Sequence, residues 1–566
     1  MPQLGTMRSL RLATLCCLSF GTGASRLAGQ AAPVCAAGVV AEVQVTNHSI
    51  YSPQTLDGRS FAWAYRLLNS LHVATREDLI VEEILLRAGE CMNPALIGES
   101  ARLLRELPFI AGADVSAERL DPGSWRIVVE TWDEWTTSAG LNISIEDEVR
   151  FEGAFLSERN MLGRGLAATF LWHRFQERRD LGLTLSSTRA LGSRVDWRVA
   201  GGRTRTGVFF TPTISYPFVG EGGTRSFDIE ANLRDRNWAY STDQPDGFSH
   251  VLLPLENRGF TVSATHRQGY PGTLTSFGGE IEVLRRRVDG PPTTALRNNF
   301  DVLDPAPDSM VTRLAGQASP PSHVRFGLTV GRRRMGYEFR SGLDLVSGAQ
   351  NVALGSELMF TLGRSIATWG TSALDTYARV EGFVGAASPR VLLQASIKAE
   401  GRLLDDATGT VARSRDVLAE TDIRAYVHMA TRHTLHALVA YKAGWRTDQP
   451  FQLRLGGAPR VRAYLDYELP AGSTLILRLE ERWNPGWLSP AIDLGFTLFG
   501  DFGRGWAGDA PFGVNHGWRS AIGGGIRTGF PAGTGSNMHI EMAWPLADEG
   551  RGSVLRAYWA HPLTSR

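Results

Sequence analysis

The residues of this 566-residue chain that are able to do chemistry are charged side chains on strand-like segments and one pair of thiols. Over 474–483 the chain alternates, with Leu475, Leu477 and Leu479 on one face and Arg478, Glu480 and Arg482 on the other, because successive side chains of a strand point to opposite sides. A carboxylate held on such a face can accept two parallel hydrogen bonds from a planar guanidinium, a pairing that fixes geometry and transforms no substrate. Further acids stand at Asp501, in Phe499-Gly500-Asp501-Phe502-Gly503, and at Glu541, in His539-Ile540-Glu541-Met542. Bond-making motifs are missing: there is no phosphate loop in a suitable context, no His-Glu-x-x-His, no nucleophile elbow and no zinc-type cysteine spacing. Gly523-Gly524-Gly525 lies in a strand-like region, where glycine marks a bend or a close approach rather than a cofactor turn. The twelve histidines are scattered. The chain is therefore read as non-enzymatic and without cofactor, and its net charge of +1 gives no cause to expect nucleic acid.

The thiols depend on the first residues. Arg8 and Arg11 precede an apolar run from Leu12 to Phe20, and small residues follow as far as Ala31 and Ala32, which is the layout of a secretory signal peptide over 1–31. Its removal takes Cys16 and Cys17 and leaves Cys35 and Cys91, an even pair in an oxidising compartment. Free thiols and a disulfide both fit that count. A bond would close a loop of about 56 residues and contribute roughly 4 kcal/mol.

Two kinds of element must position these groups. From residue 140 to 566 the sequence consists of many alternating segments separated by Gly, Pro, Asp and Asn. Phe227, Ile229, Ala231 and Leu233 alternate with Asp228, Glu230, Asn232 and Arg234; Val391, Leu393, Ala395, Ile397 and Ala399 alternate with Gln394, Ser396, Lys398 and Glu400; Ile423, Ala425, Val427 and Met429 alternate with Asp422, Arg424, Tyr426 and His428. A soluble sandwich alternates too, but charge of both signs on single strands of an exported chain suits a wet lumen with an apolar face toward lipid. No run of about 18 apolar residues follows the signal peptide, so a membrane would be crossed by strands and not by helices. At roughly 25 residues per strand this stretch is expected to hold on the order of 16 antiparallel transmembrane strands. Residues 286–325, rich in proline, interrupt the pattern and read as a long surface loop. Glu480 is expected to face the lumen.

Residues 38–136 are of a different kind. A strand from Val39 to Thr46, two helical stretches and strands near 111–117 and 125–132 give the order β-α-α-β-β, a small α+β domain. In the second helix, 94–107, Leu96, Ala101, Leu103, Leu104 and Leu107 form an apolar face, while Glu99, Arg102, Arg105 and Glu106 stay polar and wet.

Beyond periodicity, the residues resemble one family. Asn69-Ser70-Leu71-His72-Val73-Ala74-Thr75-Arg76, Glu82-Glu83-Ile84-Leu85-Leu86, Ala88-Gly89-Glu90 and Glu99-Ser100-Ala101-Arg102-Leu103-Leu104 resemble a POTRA domain. Val128 to Thr136 resembles the segment that joins such a domain to its barrel. Leu156 to Gly165, Ile214 to Phe218, the loop with Gly456, Gly457, Val461, Arg462, Ala463 and Tyr464, and Phe499 to Gly503 resemble successive barrel motifs of the BamA/TamA superfamily of outer-membrane assembly and translocation proteins. The resemblance implies that the loop carrying Arg462 folds into the lumen and locks onto a wall carboxylate, with Asp501 the first choice of partner, Glu480 the second and Glu541 the third. Two departures stand out. Ala463 occupies a place where the family usually has glycine, and would cost about 1 kcal/mol if that position needed positive φ. His561 to Arg566 follow the last strand, where an aromatic end is common.

The implied organisation is a signal peptide over 1–31, a POTRA domain over 38–136 in the periplasm and an outer-membrane barrel over 140–566. The implied partners are unfolded outer-membrane or secreted polypeptides, membrane lipid, and periplasmic chaperones or lipoproteins. The implied function is insertion or translocation of polypeptides at the outer membrane. The alternatives are a dedicated secretion pore for one partner protein, and a passive solute channel, which leaves the module and the arginine loop without a role. A single POTRA domain fits a specialised paralogue better than the central machine.

Overall fold

The computed structural model describes residues 35–560 except 52–61, 146–148, 175–179, 191, 243–247, 297–298, 318–319, 368–370, 373, 406–412, 459, 487, 490–491, 531, 534, 536 and 549. The signal-peptide segment 1–31 and the tail 561–566 lie outside them.

Residues 39–133 form a small unit: β1 (Val39–His48), α1 (Ala62–Leu71), α2 (Glu77–Glu83), α3 (Ala95–Glu106), β2 (Ile110–Asp121) and β3 (Ser124–Asp133). Three helices are described where the sequence pattern suggested two, because α2 is only two turns long and too short to carry a period. The sheet order is β1-β3-β2, with β1 parallel and β2 antiparallel to the central β3. The β-branched and apolar alternation of β3 sends Ile127 and Val129 into a core with Val40, Ile80, Ile84, Leu104 and Phe109. Cys35 is bonded to Cys91 across a sequence separation of 56, with Cα atoms 5.1 Å apart, which ties the chain before β1 to the loop before α3.

The polar face of α3 is wet only in part, at Glu106. Arg102 is buried: it is clasped by Glu99 and Glu106 and stacked 4.2 Å from the ring centroid of Tyr337 in the barrel, and Arg105 stacks likewise on Phe339. A helical pattern shows which face packs on its own sheet and is silent about a second surface that docks through charge and aromatic rings. Docking continues along several barrel turns. Arg189 pairs with Glu83, Glu221 N–H donates to Glu99 (2.8 Å), Asn160 Nδ2 donates to Thr75 Oγ1 (2.8 Å), and Arg76 N–H donates to the carbonyl of Gly163 (3.0 Å). Gly163 has φ +68° and a Cβ there would lie 2.2 Å from the carbonyl oxygen of Ala74, so only glycine permits this approach. Glu134, at the joint, accepts from Arg159 and from Gly535 N–H. The small unit thus lies across one mouth of the barrel.

The barrel itself is antiparallel and mainly built of direct neighbours, with 20 strands from Thr137–Ile145 to Val554–Ala560. This corrects the expected count of about 16. The difference arises early in the chain: six strands, Thr137–Ile145, Val149–Met161, Leu166–His173, Leu181–Ser187, Asp196–Arg203 and Val208–Tyr216, are packed between residues 137 and 216 by short connections. A single average spacing of 25 residues cannot hold for them. Later strands are long, up to the 23 residues of Phe248–Tyr270. Their polarity is the reverse of a soluble barrel's. Leu328 and Leu498, at 74% and 69% exposure, stand among many large apolar side chains on the outside, whereas Arg325, Arg402, Glu480 and Asp501 are buried within. Such an outer surface is satisfied by lipid and not by water.

Residues 286–325 are not a plain loop. A hairpin of Thr293–Leu296 and Asn299–Pro305 extends the edge of Phe248–Tyr270, and a helix, Asp308–Leu314, follows. Met310 and Leu314, four residues apart on one helix face, bury against Tyr240, Val251, Leu253 and Phe512. Gln317 then accepts from Tyr240 and donates to Thr447 (2.9 Å). This segment caps the mouth opposite the small unit.

The ring closes where Leu555, Arg556 and Ala557 pair with Ile145, Ser144 and Ile143. Among the described residues three pairs make this seam, whereas all 17 residues of Arg225–Ser241 pair with Phe248–Tyr270.

Candidate functional site

The chain leaves strand His433–Trp445 at the capped end, and residues 446–472 turn back into the lumen before strand Ser473–Trp483. A two-residue ladder, Leu453–Arg454 with Pro470–Ala471, forms the neck. Beyond it the loop knots on itself: Val461 N–H donates to the carbonyl of Leu455 (3.1 Å) and Gly457 N–H to that of Tyr464 (2.9 Å). The knot needs its two glycines. A Cβ on Gly456 would sit 2.1 Å from the carbonyl oxygen of Leu465, and Gly457 has φ +117°. Ala463 is not among the positive-φ residues, so the anticipated strain does not arise; glycine's conformational freedom is used at Gly457 instead. Leu455, Val461, Ala463 and Tyr464 are buried with Ile476, Phe499, Ala521 and Ala543 of the wall.

This packing delivers Arg462, at 2% exposure, to the inner wall. The structure brings together all three acids named from the sequence. Asp501 accepts the guanidinium fork through Nε (2.9 Å) and Nη2 (3.0 Å), and also accepts the backbone N–H of Arg462 (3.1 Å). Nη1 donates to Glu480 (2.9 Å) and Glu541 (3.2 Å). The three carboxylates come from three strands, Ser473–Trp483, Ile492–Trp506 and Asn537–Pro545. The guanidinium carbon lies 3.2 Å from the ring centroid of Phe499, which shields one face.

Sequence reasoning did not assign Arg478 and Arg482 a part in the lock, although both fall on the face of Glu480. Arg478 donates to Asp501 (2.8 Å) and to the loop carbonyl of Arg460 (2.6 Å); Arg482 donates to Glu480 (2.7 Å). Three guanidinium groups thus meet three carboxylates. One arginine against three buried acids would leave two negative charges uncompensated, which a dry site does not tolerate. That electrostatic requirement is the signal that would have found them. Tyr558 donates to Glu541 (3.0 Å), and Arg556, a seam residue, donates to the carbonyl of Tyr464 (2.6 Å). The loop is therefore fastened to the last strand as well as to the wall.

The chemistry open to this arrangement is positional. The oxygens of Asp501, Glu480 and Glu541 are engaged by guanidinium, hydroxyl and imidazole groups, so the acids are not presented to a substrate as proton carriers. Among the described residues no group of three or more His, Cys, Asp and Glu is arranged to hold a metal ion.

No protein-family model matches the sequence, and no curated protein matches it. Solved structures that are similar include BamA from Haemophilus ducreyi lacking POTRA domains 1–3, at 10% identity over 92% of this chain and 85% of that one, with a TM-score of 0.39. CdiB from Escherichia coli is similar at 13% identity over 92% and 76%, with a TM-score of 0.44, and CdiB from Acinetobacter baumannii at 10% over 92% and 73%, with a TM-score of 0.39.

Proposed function

We propose that this protein is a BamA/TamA-like barrel of the outer membrane that inserts or translocates polypeptides, with residues 38–136 acting as a periplasmic POTRA domain. The observation that carries this reading is the fastening of one lumen loop to both the wall and the seam. Arg462 binds strands Ser473–Trp483, Ile492–Trp506 and Asn537–Pro545, and Arg556 on the last strand, Val554–Ala560, holds the same loop by its Tyr464 carbonyl. Among the described residues the seam has three residue pairs, and other backbone groups of strand Thr137–Ile145 have no ladder partner across it there. In lipid such groups cost several kcal/mol unless another strand pairs with them. An incoming strand that first adds to an edge of the β1-β3-β2 sheet and then to this seam would satisfy its own backbone at each stage. The loop holds the last strands in register while that exchange proceeds.

Translocation through the lumen is the second reading. It is favoured by a cavity of about 480 Å³ between the small unit and the barrel mouth, lined by Ile110 and Ala111 at the start of β2 and by Glu134, Phe339, Leu345 and Asn351. The experiment that separates the two is the folding rate of a small unfolded test barrel into liposomes, with this protein and with its Arg462→Ala variant. Acceleration that falls on mutation supports insertion. No acceleration by the folded wild type rejects general insertion and moves the assignment to a pore for one client.

A further inference from the structure

The turn joining strands His323–Ser341 and Ala349–Ser365, at the mouth covered by the small unit, is not a surface turn. Leu343, Leu345 and Val346 are buried, and so is Asp344. The turn crosses the mouth and reaches strands far round the ring. Tyr426 donates to Asp344 Oδ1 (2.7 Å), and Arg482 Nη1 donates both to that oxygen (3.2 Å) and to the carbonyl of Leu343 (2.7 Å). Asn537 and Arg527 donate to the carbonyl of Asp344, Asn484 donates to that of Val346, and Ser347 donates to Asp493. Arg482 also donates to Glu480, which accepts from Arg462. A continuous alternation of charge, Asp344–Arg482–Glu480–Arg462–Asp501, therefore joins a turn entering from one mouth to a loop entering from the other.

We infer that residues 342–348 are a gate at the module-side mouth, that Asp344 is its latch, and that the gate and the Arg462 loop are held by a shared network, so that releasing either loosens the other. The gate rests on the barrel reading above but not on which client the barrel serves. Coupling of this kind is reciprocal by thermodynamic necessity, and the reciprocity makes it testable without any client. Arg482 can compensate two acids only while both are in place. If Asp344 leaves, Arg482 loses one of its two carboxylate partners and is free to follow Glu480 or water; if Arg462 leaves, Glu480 must draw more on Arg482, at the expense of Asp344.

The test uses the full-length protein folded in detergent and in planar bilayers. Asp344→Ala removes the latch, Tyr426→Phe removes only the hydroxyl that supports it, and a chain with 343–347 replaced by two glycines removes the gate. Folding of each is checked by heat-modifiable electrophoretic mobility. Hydrogen exchange is read in 342–350 and in 453–471. The inference expects Asp344→Ala to raise exchange in both segments by about tenfold or more, Tyr426→Phe to do so by a smaller factor, and Arg462→Ala to raise exchange in 342–350. It expects bilayer conductance to rise in the order wild type, Asp344→Ala, gate deletion. Exchange that changes only in the mutated segment would overturn the coupling. Conductance of the gate deletion equal to wild type would overturn the gate. Should Asp344→Ala fail the folding check, Tyr426→Phe and Arg462→Ala carry the same comparison.

Discussion

Replacing Arg462 with alanine asks whether the loop is held by its ion pairs or by apolar packing. The side chain donates four hydrogen bonds, two to Asp501 and one each to Glu480 and Glu541, from an almost fully buried position. Removing one partner of a buried ion pair generally costs about 3–5 kcal/mol, because the charge left behind is neither paired nor hydrated. Here Arg478 still serves Asp501 and Arg482 still serves Glu480, so the lower end of that range applies. Taking about 3 kcal/mol, and a factor of ten for each 1.4 kcal/mol, local opening of the loop should rise roughly 150-fold. Hydrogen exchange of residues 453–471, referenced to strand His323–Ser341, measures this directly. Arg462→Lys keeps the charge but loses the fork, since one ammonium cannot bind both oxygens of Asp501 in parallel and also reach two further acids; its effect should be intermediate, about tenfold. Loop exchange in Arg462→Ala within about threefold of wild type would refute the reasoning, and would assign the holding to burial of Leu455, Val461 and Tyr464. A lysine variant equal to wild type would show that charge suffices and that fork geometry is dispensable.

Other expectations follow from the small unit and its joint. Exchanging Cys35 and Cys91 together for serine should lower the stability of this unit by about 4 kcal/mol on the chain-entropy model, measured by denaturant-dependent exchange in β1 and β3; an unchanged midpoint would mean that the sheet is held without the bond. Arg102→Ala removes two ion pairs and the stack on Tyr337, for a loss of about 2 kcal/mol, and should raise exchange in α3 roughly 30-fold while the barrel strands stay protected. Burial pushes the Glu134 carboxyl above its ordinary value near 4.5, against the opposing pull of Arg159. A carboxyl raised in the docked state favours docking below that value and opposes it as pH rises toward the docked-state pKa. Glu134→Gln should therefore remove the fall in docking stability with rising pH, read as proteolysis of the 134–136 joint across pH 4 to 8; a variant whose pH profile matches wild type would exclude Glu134 as the source.

The parts of this structure that were legible beforehand are those governed by a short period. Alternation placed Glu480 on the inner face, and the motif around Asp501 supplied its partner acid. What escaped were groups whose role depends on a surface far away in sequence. Arg102 stands on the polar side of its helix, and nothing in α3 says that Tyr337 will cover it. Asp344 sits in Gly342-Leu343-Asp344-Leu345-Val346, too short for a period and too apolar for an ordinary exposed turn; its three large apolar residues were the available hint of burial. Proline broke the alternation in 286–325 and concealed a helix that Met310 and Leu314, four residues apart, would have suggested. A mean spacing of about 25 residues gives too few strands because the hairpins between 137 and 216 are about half as long as those elsewhere.

The ionic character of the lumen has a physical rationale of its own. A plug of leucine would hold the loop at least as firmly, since buried ion pairs lose in desolvation much of what they gain in attraction. It would also present an oily surface to the lumen whenever it moved, and any passing unfolded chain would stick to it. Three guanidinium groups and three carboxylates behave differently. While buried under Phe499, they are held with the fork of Arg462 on Asp501 and its Nη1 bridging two other strands, a geometry that ties three strands to one side chain. Once water enters, each charged group is hydrated, and the apolar surface uncovered is limited to Leu455, Val461, Ala463, Tyr464 and their wall contacts. The network therefore specifies a closed geometry while adding no apolar surface of its own to the open one. If the barrel handles polypeptides as proposed, it needs that combination more than it needs additional stability.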